Sequence, residues 1–531
     1  MVDRRTFLTG AAATLMTGRN ALGVPQRKSE RKDSLIPTQL GKAPNYWCTW
    51  AAQNYMYGHH LPELDPSLLE GDSGAALARD AIGEHQLFGA DGWGRSFYPQ
   101  VRSDVYLLLD DGWETGGTST FELDPKKFPS FYGTPVERLT ALNRKARQEQ
   151  WRGIALWCRN PPGGEADRRL EDWSAKADIG YWKIDIGDPS FRLTALRDQI
   201  RLPLTLEHVH GELPVNGDWR NDGRFGSQPW GSRRLDILAH TDVYRTYDVT
   251  SILSLPTTLD RVAEMLKGAE GHTEISSLLN VEDEVYVAAV LGCTMGIMRH
   301  PLEGMRPEPD TDLFFNGARR PKRRIDEVVR ALRWQRLAQP FSPGSGTVKV
   351  SEDILTDSWR FERGQTWQND LIGATVRQGA PSCITRNLDL PYVRSAGEKP
   401  FVFAARFPNG AVAIGAQQRT APSRAWYMPE AHIALQVGDA SGPFGIFGDI
   451  SSLTLVFDRP LGKHRVLAQD LKGDHAEDIT HQISRGEKKL QFSRSLIRKI
   501  GLSAATPGDL SSPGLVLAFE DSNVDGRSHE S

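Results

Sequence analysis

The sequence predicts an α/β protein, a (β/α)8 TIM barrel followed by a C-terminal antiparallel β-sandwich domain. Three observations carry that expectation. From about residue 45 to 339, short apolar runs alternate with longer amphipathic ones, the rhythm of repeated strand–helix units around a parallel sheet. Eight strand candidates occur in that span, the number a closed barrel of this kind requires. Beyond Pro343-Gly344-Ser345-Gly346 the apolar period shortens to two, with Gly, Pro and Asp between the runs, as in antiparallel sheet.

In chain order, the first feature is a leader. Asp3-Arg4-Arg5-Thr6-Phe7-Leu8 sets a twin arginine before Phe-Leu, and the mildly apolar, Ala-rich run 9–16 follows. That is the layout of a Tat export signal. Cleavage is expected near residues 21–24, and a polar linker rich in Lys, Arg and Ser runs on to about residue 41. The mature protein is thus expected in the periplasm or secreted. No later stretch of about 18 apolar residues occurs, so no membrane span is expected in it.

The strand candidates are 46–51, 105–110, 153–158, 181–185, 202–207, 242–245, 275–279 and 294–298. Helical patterns cover 137–150, 168–177, 191–199, 232–239, 258–267 and 282–291, and 324–337 closes the set. Period-two runs then follow at 401–406, 411–415, 432–437, 453–457 and 514–519. The resulting organisation is signal and linker 1–41, catalytic barrel 42–342, β-sandwich 347–520 and polar tail 521–531. A chain of 531 residues, 39% hydrophobic, supports two such bodies with cores of their own.

Composition excludes several function classes. A net charge of −3 leaves no basic excess for nucleic acid. The four cysteines, Cys48, Cys158, Cys293 and Cys383, form no CxxC pair, which reads as buried thiols rather than a disulfide framework or zinc ribbon. Gly116-Gly117 and Pro161-Pro162-Gly163-Gly164 lack the strand–loop–helix context of a phosphate cradle. No Gly-x-Ser-x-Gly elbow follows a candidate barrel strand. Oligomeric state is not written in the sequence.

Chemistry gathers where strands end, the working face of such a barrel. Those ends read Asp110-Asp111-Gly112-Trp113, Trp157-Cys158-Arg159, Lys183-Ile184-Asp185, Glu207-His208 and Arg245-Thr246-Tyr247-Asp248. One Asp there is explained as a helix cap; this many carboxylates among Lys, Arg and Trp point to a site. Neighbouring strands lie ~4.8 Å apart, and inward-pointing Asp185 and Asp248 can approach to roughly 5–6 Å, the separation of a retaining glycosidase pair. Lys183 shares a strand face with Asp185 and favours its ionised form, so Asp185 suits the nucleophile and Asp248 the acid/base. Asp242 and Asp188 are the reserve acids. Trp50, Trp113 and Trp157 stand near strand ends as sugar platforms, with core filling as the alternative for each. A second reading takes His208 and His210, on one strand face, as a metal pair of a metal-dependent barrel hydrolase. A third is a catalytically inactive carbohydrate-binding barrel.

Asp110-Asp111-Gly112-Trp113, Lys183-Ile184-Asp185 and Arg245-x-x-Asp248 resemble the markers of glycoside hydrolase clan D, families 27 and 36, best known for α-galactosidases. The resemblance covers about residues 44–520 and rests on those three motifs. It implies a carbohydrate substrate, no cofactor and no metal. Residue by residue, it implies Asp185 as nucleophile and Asp248 as acid/base. Asp110 and Asp111 would hold distal sugar hydroxyls, Lys183 and Arg245 hydroxyls near the reacting centre, and Glu207 the 2-position substituent. The sequence departs from the pattern in two places. Glu207-His208-Val209-His210-Gly211-Glu212 replaces the usual cluster after the fifth strand, and the Arg245–Asp248 spacing is shorter than in many family 27 members. The long first βα segment, 53–103, carries His59-His60 and is expected to add a wall to the pocket.

Overall fold

The computed structural model describes residues 33–520 apart from 58–75, 77, 118, 160–162, 186–203, 210–234, 236–237, 247–253, 302–323, 361–372, 374, 422–423, 440–441 and 463. Eight parallel strands close into a barrel: β1 (Asn45–Cys48), β2 (Val105–Leu109), β3 (Ile154–Arg159), β4 (Tyr181–Asp185), β5 (Thr205–Val209), β6 (Val243–Arg245), β7 (Leu278–Glu282) and β8 (Thr294–Ile297). Each pairs with the next in chain order, and β8 returns to β1 through Tyr46 opposite Gly296.

Strand alternation divides the side chains into two sets. Trp47, Leu107, Leu109, Leu156, Trp182, Leu206 and Val281 join the core outside the barrel wall. Tyr46, Cys48, Leu108, Ala155, Trp157, Tyr181 and Val243 form a separate buried cluster inside it. On β4, where Tyr181 lies in the inner cluster and Trp182 in the outer one, the same alternation assigns Lys183 and Asp185 to the lumen. Gly296 of β8 is small for a reason: a Cβ there would stand 2.6 Å from the Tyr46 hydroxyl.

Among the described residues, helices follow six of these strands, the first of them the short helix Trp50–Tyr57 after β1. After β2 comes α1 (Pro135–Gln148), begun by a capping box of Thr134 and Glu137 with proline in the first turn. After β3 comes α2 (Glu165–Ala177), and after β6 α3 (Ser254–Ala269). Then α4 (Val285–Leu291) follows β7 and α5 (Ile325–Leu337) follows β8. The expected helix 191–199 lies outside the described residues, as does most of 232–239. No described helix is long and apolar enough to cross a membrane.

The seventh strand differs from expectation. A turn at His272–Ile275, with His272 N donating to Ala269 O and Ile275 N to His272 O, ends α3, so β7 starts at Leu278 instead of 275. It then runs on to Glu282, which the sequence pattern had placed in the following helix.

The C-terminal region folds into separate sheets, chiefly one of eight strands and one of five. They share a buried cluster, with Val402, Ile414 and Ile446 from the larger sheet against Ile433, Leu455 and Leu490 from the smaller. The sheets are mixed, which corrects the antiparallel expectation. Cys383–Arg386 runs parallel to Phe401–Arg406, Val412–Gln417 to Phe444–Phe447, and His432–Gly438 to Ser452–Phe457. The period of two specifies a strand but not its direction, and the connecting segments are long enough for crossovers. The larger sheet is also covered on its other face: Phe401, Phe403, Ala405 and Phe447 belong to the barrel-side core. Phe447 packs against Tyr286 of α4 and Trp334 of α5 at ring separations of 5.0 and 5.8 Å. Burial on both faces explains why 401–405 reads as a continuous apolar run.

Candidate active site

At the C-terminal mouth of the barrel the inner side chains become charged. Asp110, immediately after β2, is fixed by four contacts. Its N–H donates to Thr49 Oγ1 at 2.9 Å, and its Oδ1 accepts the Asp111 N–H at 2.9 Å. Its Oδ2 accepts from Lys183 Nζ at 2.7 Å and from the Cys48 thiol at 3.0 Å. Burial, then the neighbouring Asp110, hold the Cys48 thiol well above its ordinary pKa, so it remains a donor. Burial and Arg245 push the Lys183 ammonium down, but Asp110 and Asp185 outweigh them and leave it above the usual lysine range.

Asp185 ends β4 and is the most exposed member of this group, its side chain 21% accessible. Trp157 Nε1, from β3, donates to its Oδ2 at 3.1 Å. Lys183 Nζ stands 4.0 Å and Arg245 Nη2 3.8 Å from the same oxygen. Arg245, at the end of β6, is in turn paired through Nη1 with Glu282 Oε2 at the end of β7. The mouth is therefore an alternating row, Asp110–Lys183–Asp185–Arg245–Glu282, drawn from β2, β4, β6 and β7. Its central carboxylate faces two cations and an N–H donor, surroundings that stabilise a negative oxygen.

Glu207 lies one layer deeper. Its Oε1 accepts from Tyr46 OH at 3.2 Å and Asn280 Nδ2 at 2.8 Å. Tyr46 is two residues before Cys48 and Asn280 two before Glu282, so both partners belong to the floor beneath the charged row. It has no exposed surface. Burial raises its pKa to about 7 against the opposing pull of Arg245 and Lys183. The Tyr181 hydroxyl is close enough to feel this carboxyl but makes no hydrogen bond of normal geometry.

The other expected residues are placed as follows. Asp111 Oδ2 accepts from Arg79 Nε at 2.7 Å, and its carbonyl accepts from Gln53 Nε2 at 2.9 Å, so the long first βα segment braces it. Trp157 lines the lumen, and half-buried Trp50 packs against the same cluster. Trp113 does not reach the lumen. It is fully buried in the outer core, its Nε1 donating to Trp157 O at 2.9 Å and its ring 6.3 Å from Trp182. The preceding Gly112, at φ 109° against the Arg79 backbone, turns the chain outward before the indole. This position corrects its expected role as a platform. Asp242 Oδ2 accepts the Leu206 N–H at 2.8 Å, three residues before the strand end that carries Arg245. Asp248, Asp188 and His210 lie outside the described residues, as does the side chain of His208. Among the described residues, no group of three or more His, Cys, Asp or Glu could hold a metal ion.

Sequence reasoning missed Glu282, Asn280 and Tyr46. The signal was there in Leu279-Asn280-Val281-Glu282, whose strict alternation is a strand with a polar inner face. The acid at its end was read as a helix start instead.

No family model matches the sequence, and no curated protein matches it. Among solved structures, the chain is similar to the glycoside hydrolase domain of Endo-D from Streptococcus pneumoniae R6, at 9% identity and a TM-score of 0.17. The match covers 80% of this chain and 65% of that one, so the chain spans under two thirds of that structure. A likeness of this degree carries no argument about activity.

Proposed function

We propose that the protein is an exported retaining α-glycosidase of the clan D type, α-galactosidase-like, that hydrolyses a terminal glycosidic bond. One observation carries the reading: a partly exposed Asp185 at the mouth of a closed parallel barrel, with Lys183, Arg245 and the Trp157 N–H converging on its Oδ2. The resemblance of the three strand-end motifs supplies the sugar class, and the twin-arginine leader supplies export.

In this reading an Asp185 carboxylate oxygen attacks the anomeric carbon as the bond to the leaving oxygen breaks. Asp248 gives that oxygen its proton, leaving a covalent glycosyl-enzyme. Asp248, now ionised, takes a proton from water, whose oxygen displaces Asp185 and releases the sugar with retained configuration. Lys183 and Arg245 stabilise the negative charge that returns to Asp185 in the second step. No cofactor takes part. The test is a panel of aryl glycosides (α-galactoside, α-N-acetylgalactosaminide, β-L-arabinopyranoside, α-glucoside) with the purified mature protein. Turnover of one is expected, and Asp185→Gly with added azide should yield a glycosyl azide of inverted configuration. Absence of turnover on all four, or full activity in Asp185→Gly, overturns the reading.

A further inference from the structure

We infer that Glu282 is a positioning residue, which holds the Arg245 guanidinium at a fixed remove from Asp185 and so sets how much of its charge that carboxylate feels. The inference rests on the proposed glycosidase reading for its consequence, but its geometry stands alone. Arg245 is buried and bridges two carboxylates. Nη1 is hydrogen-bonded to Glu282 Oε2, while Nη2 stops 3.8 Å from Asp185 Oδ2. A guanidinium is a rigid planar fork, so anchoring one nitrogen fixes the reach of the other. Lys183 is held in the same manner on the opposite side. It donates to Asp110 at 2.7 Å and stands 4.0 Å from Asp185.

Each cation beside Asp185 thus has an outer carboxylate of its own. An unanchored guanidinium would close on Asp185 in a two-pronged pair, the geometry it favours with any carboxylate. That pairing would tie up the oxygen that must attack carbon. With Glu282 in place, the cation offsets charge without taking the nucleophile's lone pairs. Glu282 itself has only 1% of its side chain exposed, so it is not available to bind substrate directly. Among the described residues, the charged and titratable groups that face the row from the packed elements are Tyr46 and Cys48 of β1, Asp110 after β2, Tyr181 and Lys183 of β4, Glu207 of β5, Arg245 of β6 and Glu282 of β7.

The experiment uses the full mature chain labelled with 13C-aspartate, in which the carboxyl signal absent from Asp185→Asn identifies Asp185. Glu282→Gln keeps shape and removes the anchor's charge. The Asp185 titration midpoint should fall by about one pH unit or more, because the charge that draws Arg245 away from it is gone. On the preferred glycoside, the acid limb of kcat/KM should move down with it. Meanwhile kcat should fall roughly 10- to 100-fold as the carboxylate becomes a poorer nucleophile. If Glu282→Gln does not fold, Glu282→Asp carries the test, since its shorter reach loosens the same anchor and shifts the midpoint in the same direction. An unchanged midpoint in the folded variant overturns the inference. A shifted midpoint in a protein that hydrolyses no glycoside would retain the anchor and overturn the glycosidase reading instead.

Discussion

Two buried charge networks in this molecule use the same residue types and are satisfied in different ways. Between the barrel and the C-terminal sheets, Arg330 donates to Asp470 through Nε at 2.8 Å and Nη2 at 3.1 Å, and both side chains have no exposure. Arg299 donates to Asp283 at 3.1 Å and to Glu327 at 2.7 Å, while Glu327 also accepts the Ser512 N–H at 2.9 Å. Every charge there meets its opposite at hydrogen-bond distance. At the barrel mouth the outer carboxylates are held as closely, yet the cations stop 3.8 and 4.0 Å short of Asp185. A saturated network fixes two bodies together. Among the described residues, the barrel-mouth network holds its central carboxylate at arm's length from Lys183 and Arg245 and partly open to solvent, the arrangement that the proposed function uses.

The largest effect should separate the two networks outright. Asp185→Asn is expected to lower kcat by roughly 10⁴-fold or more, the scale on which loss of a catalytic-triad member is felt. Its melting temperature should change little, because Lys183 and Arg245 keep their own partners. A large drop in melting temperature would move Asp185 into the structural class. Arg330→Met is the converse. It strands Asp470 without its guanidinium, and loss of one member of a buried pair costs about 3–5 kcal/mol. Denaturant titration should show that loss, while kcat of the folded fraction stays at the wild-type value. A loss below about 1 kcal/mol would mean that the interdomain pair is dispensable.

A smaller effect tests the acid/base. Asp248→Ala should slow hydrolysis of glycosides with poor leaving groups by about 10²-fold or more, and spare aryl glycosides that depart without protonation. Azide should then intercept the covalent intermediate with retained configuration. Equal losses on good and poor leaving groups would send the search for the acid elsewhere.

The barrel was legible because its strands alternate: Tyr181-Trp182-Lys183-Ile184-Asp185 announces two faces, and all five residues lie in the strand as read. Strand ends marked Asp110, Lys183, Asp185 and Arg245, since charge at the end of an apolar run is costly without a purpose. The row that joins them was not legible, because it depends on register between strands far apart in sequence. Arg245 meets Glu282 only because β6 pairs with β7 through Arg245 opposite Asn280. Trp113 was misplaced for the same reason. A strand-end position does not say which way the chain leaves, and Gly112 sends it outward. In the C-terminal sheets, strand direction is set by crossovers that a period of two does not encode.

The smallest effect concerns Glu207, whose contact with a sugar is implied by the clan D resemblance and whose side chain lies in the floor of the barrel. Burial lifts its pKa to about 7 from 4.5. The folded state therefore keeps a proton that the unfolded chain gives up as pH rises from about 4.5, so stability falls with rising pH until about 7 and is level above. Glu207→Gln removes that slope. Its amide oxygen can still accept from Tyr46 and Asn280, and its NH₂ can donate towards the Tyr181 hydroxyl. The variant should gain about 1–3 kcal/mol over the wild type at pH 8 and little at pH 4, measured by denaturant titration across that range. Glu114 carries a shift of the same sign, also by burial, to about 7, and should account for part of the slope that remains. Glu114→Gln added to Glu207→Gln should flatten it further. Because Glu207 has no exposed surface, kcat/KM of Glu207→Gln should stay within about tenfold of wild type, whereas a loss near 10²-fold, the scale of a missing charged partner to a hydroxyl, would return Glu207 to the sugar.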